Sequence, residues 1–249
     1  MLPPARSSLL AFAVAWEQLE LGERPTALTT TSPGATWTER HALVERALDE
    51  LAGIGWVRQG RITREVREAF ELLARPAREL YGWAETQDEP MCGRLVASRG
   101  EDAVLAHLGT ETAAIRGVRP GNLAESLADT LPALRKGPGS PLNFPADALD
   151  GTARPATGGG VLTAQRGSTV ADRAHALLTR PRLGGAQLFA AHRDDLGTRR
   201  RTARKLTVLD TVDGRYTIRE REGDGGTWYS IVPTDRDGLV RALVELGAG

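Results

Sequence analysis

Ser168, Asp172 and His175 are the residue types of an acyl-transfer triad: a nucleophile, an orienting acid and a base. They stand at i, i+4 and i+7 of one predicted helix, whereas the members of such a triad converge from separate elements. No Gly-x-Ser-x-Gly turn presents the serine either. The spacing reads as a helix cap at Ser168 followed by surface polar residues. His41, His107, His175 and His192 lack the His-x-x-x-His or His-x-Glu spacing of a zinc site and are expected at the surface or half-buried. Cys92, the single cysteine, permits no internal disulfide and no cysteine cluster. It falls in a predicted strand, is read as buried and inert, and fits a reducing cytoplasm.

Three further stretches invite a chemical reading. Gly158-Gly159-Gly160 lacks the Gly-Lys-Ser/Thr and the preceding strand of a phosphate-binding loop and reads as linker. Asp210-Thr211-Val212-Asp213-Gly214 offers carboxylates without the spacing or terminal Glu of an EF-hand, so a hairpin turn explains it better. Arg199, Arg200, Arg201, Arg204 and Lys205 form the densest basic cluster, able to meet phosphate or an acidic partner. Asp194 and Asp195 precede it and no aromatic is interleaved for base stacking, so a solvated loop is the default. Catalytic residues, cofactor and metal are all expected to be absent.

The elements around these residues repeat. Leu73-Ala74-Arg75-Pro76 ends a helix-like run and leads to Leu80-Tyr81-Gly82-Trp83; Leu178-Thr179-Arg180-Pro181 does the same and leads to Leu188-Phe189. The chain therefore reads as two diverged copies of one layout. In the first half, Leu9, Phe12, Ala13 and Trp16 mark helix one. Thr36 with Glu39 forms a capping box for helix two, whose buried face is Val44, Ala47, Leu48 and Leu51. Thr63 opens helix three, which carries Val66, Ala69, Phe70 and Leu73. Ile54 to Arg58 is a short strand candidate, and strands are expected at 78–86, 91–98 and 102–109. A helix follows from Asn122 through Leu134 and closes at Lys136-Gly137.

Residues 137–160, rich in Gly and Pro, are expected to link the halves 1–136 and 161–249 of one domain. The second half predicts a helix capped by Ser168, strands at 185–193, 204–210, 214–220 and 227–232 with turns at Asp213-Gly214 and Asp224-Gly225, and a last helix from Thr234 burying Leu239, Val240, Leu243 and Leu246. An α+β fold follows, with the strands joined in one antiparallel sheet and helices around it; two separate domains are the alternative.

The 249 residues are enough for one large domain or two small ones. Lys plus Arg and Asp plus Glu are 32 each, so no global field draws the chain to nucleic acid or an anionic membrane. No apolar run approaches the roughly 18–20 residues that span a bilayer, and the start reads as an amphipathic helix rather than a signal peptide, so a soluble, cytoplasmic protein is expected.

The order Ala74-Arg75-Pro76, Leu80-Tyr81-Gly82-Trp83, Leu134 before a Gly/Pro linker, Lys205 to Tyr216, and Trp228 to Pro233 resembles the EspG family of type VII (ESX) secretion chaperones along essentially the whole chain. The resemblance implies a central, mostly antiparallel sheet with two helical bundles in quasi-two-fold arrangement. It also implies a cytosolic, non-enzymatic chaperone that binds PPE proteins, in PE–PPE pairs, and keeps them soluble for export. Partner contacts would come from the C-terminal bundle and from a loop between sheet strands. By position that loop is 85–91, short here, with Gln87, Asp88, Glu89 and Met91 as candidates. A small-molecule-binding or hydrolytic α+β enzyme is the alternative function, and a nucleic-acid binder using the arginine cluster is a third.

Overall fold

Both Arg-Pro pairs stop a helix and start a central strand. The computed structural model describes residues 4–30, 36–148, 161–223 and 226–248, and of 147 and 161–169 the backbone alone. Its first half runs β1 (Ala5–Ser8), α1 (Leu9–Gln18), α2 (Trp37–Gly53), β2 (Val57–Arg58), β3 (Arg61–Ile62), α3 (Arg64–Ala74), β4 (Arg78–Glu85), β5 (Cys92–Arg99), β6 (Asp102–Leu108), β7 (Thr112–Val118) and α4 (Leu123–Ala128). The second runs β8 (Leu142–Pro145), α5 (Val161–Leu178), β9 (Arg182–Arg193), β10 (Arg199–Arg201), β11 (Leu206–Thr211), β12 (Gly214–Gly223), β13 (Gly226–Pro233) and α6 (Arg236–Ala248).

One antiparallel sheet takes the order β1-β7-β6-β5-β4-β9-β11-β12-β13-β8, with β10 added to β9; β2 and β3 pair separately. From the centre outward each half repeats the same path: a strand after Arg-Pro, three more in meander, then the short strand that opened the half. The strands β4 and β9 meet at the centre, with Tyr81 opposite Phe189. This is the quasi-two-fold α+β architecture anticipated from the repeat, and hydrogen bonds run without a break from one half to the other.

Each face of the sheet has its own helices. On the front, α1, α2 and α3 bury Phe12, Trp16, Leu51, Phe70 and Leu73 against Tyr81, Leu95 and Ala97. The Phe70 ring lies 5.2 Å from Phe12 and 5.9 Å from Trp16, and Trp56 meets it edge-on. Across the axis on the same face, α5 packs Ala174 and Leu177 with Leu209, Tyr216 and Ile231. On the back, α4 and α6 bury Leu127, Leu239 and Leu243 against Leu80, Val96 and Leu188. Among the described residues no helix is long and apolar enough to cross a membrane.

Several expected boundaries move. Helix α5 begins at Val161, so Ser168 lies inside it and does not cap it. Helix α4 stops at Ala128, because beyond it the chain turns into the sheet: Lys136 bridges Arg215, and the Tyr216 hydroxyl donates to the Pro138 carbonyl at 3.0 Å. The stretch 137–160 is not connector alone, since it contains β8, which pairs with β13. The last helix is capped by Asp235, which accepts from the Gly238 N–H at 2.8 Å, rather than opened by Thr234. Strands β1 and β7 were not anticipated. The turn Asp224-Gly225 and Gly158-Gly159-Gly160 lie outside the described residues.

Candidate functional site

The loop between β4 and β5 divides its candidates. Gln87, Asp88 and Met91 are exposed, Met91 at 59%. Glu89 turns inward. Its backbone carbonyl accepts from the Thr86 N–H at 2.8 Å, its own N–H donates to Thr86 Oγ1 at 3.1 Å, and its carboxylate accepts from Arg94 Nη2 at 3.2 Å. Arg94 is itself buried and also donates to the carbonyls of Ala84 and Cys92, at 3.1 and 3.0 Å. Glu89 therefore neutralises a buried guanidinium and shapes the loop, while its three neighbours keep free surface.

The fold also gathers what the sequence kept apart. Glu89, Cys92 and His107 place ligand-type atoms within 4.8 Å of one another. His107 Nε2 lies 3.1 Å from the Glu89 carboxylate, though out of line for a hydrogen bond. A metal is a poor fit, because Arg94 already brings a fixed positive charge to the same carboxylate. Burial, and then the Glu89 charge, push the Cys92 thiol up to about 11, which keeps it protonated. Burial and the Arg94 charge hold His107 below its ordinary range. This is a polar cluster that fixes the sheet end, and the expected inertness of Cys92 is consistent with it.

The centre of the front face is different. Tyr81, Trp83 and Phe189 from the two axial strands form one aromatic group, with Phe189 centred 5.6 Å from Tyr81 and 6.1 Å from Trp83. Trp83, Phe189, Thr207 and Ile218 remain half-exposed, and Gln187 is exposed. The arginine cluster lies at one end of this floor. Arg199 sits 4.9 Å over the Tyr81 ring and Arg201 5.2 Å over Phe189, while Arg199 Nε pairs with Glu79 at 2.5 Å. Burial raises the Glu79 carboxyl and Arg199 opposes that shift. Arg200 pairs with Asp194 at 2.9 Å. All five basic residues are exposed, as expected of a solvated hairpin loop, and three of them also have partners inside the chain.

An aromatic, half-exposed floor between two helical groups suits a protein surface better than a small reactant. The sequence paired the two Arg-Pro repeats and joined their strands in one sheet without making the aromatic stretches neighbours; setting the symmetry axis between the two equivalent strands would have brought them together. Of the other candidates, Asp172 and His175 are exposed on α5, and the Ser168 side chain lies outside the described residues. His41 and His192 are exposed and His107 is half-buried. Asp213-Gly214 does lie in the β11–β12 hairpin, where Thr211 is opposite Gly214.

Comparison with known proteins gives two findings. A model of the EspG family matches residues 8–245. Among solved structures, the fold is similar to that of the Mycobacterium tuberculosis type VII secretion system chaperone EspG5, solved in complex with a PE25–PPE41 dimer. That match has a TM-score of 0.70 and 15% identity, and covers 98% of this chain and 95% of the other. By sequence, no curated protein matches.

Proposed function

The chain belongs to the EspG family, and from that premise we propose that it is a cytosolic chaperone of a type VII secretion system that binds a PPE-type client, as a PE–PPE pair, and keeps it soluble for export. The observation that carries this reading is the front floor, where Trp83 and Phe189 stay partly exposed at the junction of the two halves. Covering an apolar end of a client there removes aggregation-prone surface from water on both partners. Gln87, Asp88 and Met91 extend the contact beyond the sheet end, and Glu89 holds that loop in shape. The mechanism needs no bond-making step: affinity comes from aromatic burial, and orientation from polar groups around the rim. Co-expression with PPE-type proteins from the same genome should yield a stoichiometric complex and move the client into the soluble fraction. Insolubility of every such client in its presence would overturn the reading.

A further inference from the structure

We propose that the back of the second half binds an acidic protein segment, in the groove between α6 and the outer strands β12 and β13. Two adjoining hollows of about 310 and 230 Å³ flank α6 and share Arg219, Arg221, Ala242 and Glu245. Together they are lined by six cationic and three anionic residues, and of the three acids Glu220 falls in register with Tyr229 on the other face of β12. Arg219 is paired with Glu245, and Lys136 and Arg241 face Asp235. Arg204, Lys205 and Arg221 have no carboxylate within ion-pair distance among the described residues. In a chain whose formal net charge is zero, this is a local field and not a share of a general excess.

Two observations select the occupant. Carboxylates from Asp235 and Glu245 interrupt the cations, an arrangement that repels a continuous phosphate backbone but accommodates spaced Asp or Glu side chains. Trp228, 40% exposed and opposite Arg221 in register, supplies one apolar anchor, where single-stranded nucleic acid would need a series of stacking rings. The equivalent groove of the first half, beside α4 on β6 and β7, has about 490 Å³ and presents Arg6, Arg116 and His107 against Asp129. The fold itself therefore does not demand the stronger positive lining.

This site faces away from the aromatic floor, so it is testable without any client. The probe is a fluorescent Glu-rich peptide with one Leu, titrated at low ionic strength. Saturable binding is expected, weakened by at least about tenfold in the triple variant Arg204→Ser, Lys205→Ser, Arg221→Ser and by added salt. It should be unchanged in a charge-matched control, Arg58→Ser, Arg61→Ser, Arg119→Ser, which alters exposed arginines elsewhere. The single exposed change Arg221→Glu asks the same question without disturbing the fold. Absence of saturable binding, equal weakening by the control, or tighter binding of an oligothymidylate of equal charge would each overturn the proposal.

Discussion

At the scale of single residues, the strongest constraint is the Asp210–Arg215 pair. Arg215 Nε and Nη2 reach the two Asp210 oxygens at 2.7 and 2.8 Å, Nη2 also donates to the Pro132 carbonyl at 2.9 Å, and both side chains are buried. Asp210→Ala should cost about 3–5 kcal/mol in urea unfolding, because it leaves a guanidinium uncompensated. Asp210→Leu combined with Arg215→Met should recover most of that loss. His107 supplies a second prediction. Its pKa is lowered in the folded chain, so the unfolded chain takes up its proton first as pH falls. The stability it contributes is full above about pH 6.5 and declines below it, and His107→Gln should flatten the urea midpoint between about pH 7 and pH 5. The sequence showed Asp210 only as part of a turn. That its carboxylate would meet Arg215 across the hairpin depends on register, which a linear pattern does not report.

At the scale of elements, close backbone approach makes different glycines answer differently. A Cβ added at Gly82 would overlap the Gln187 carbonyl on β9, so Gly82→Ala must push the two axial strands apart. A loss of about 1–3 kcal/mol is expected in thermal or urea unfolding. Gly53, at the end of α2, has open space around it, and Gly53→Ala should hold stability level or raise it by up to about 1 kcal/mol. What sequence revealed here was local chemistry. Thr36 and Glu39 exchange both capping-box bonds, each at 3.2 Å, and both Arg-Pro pairs end helices. The elements it hid take their structure from distant partners. Ala5–Ser8 and Leu142–Pro145 are four-residue edge strands without alternation enough to announce themselves, and each exists because β7 or β13 offers a free edge.

At the scale of the whole molecule, the halves place the exposed loop 86–91 at one end of the aromatic floor and the arginine hairpin at the other. If the floor and the loop together hold the client, Met91→Asp should weaken the complex by about tenfold or more in a pull-down titration. Stability should stay within about 0.5 kcal/mol of the parent, since Met91 contributes little to the core. The quasi-two-fold axis between β4 and β9 has a consequence for how a guest is held. A seat related to itself by half a turn accepts an asymmetric visitor in two opposite headings, and only its departures from symmetry tell them apart. Here those departures lie in the flanking helices, α1 to α3 on one side against α5 on the other, and in the rim, where six residues join β4 to β5 while a longer, arginine-bearing excursion joins β9 to β11. Shortening the arginine excursion to match its counterpart would erase one of those cues, and with it the Arg199 partner of buried Glu79 and the two guanidinium groups over Tyr81 and Phe189.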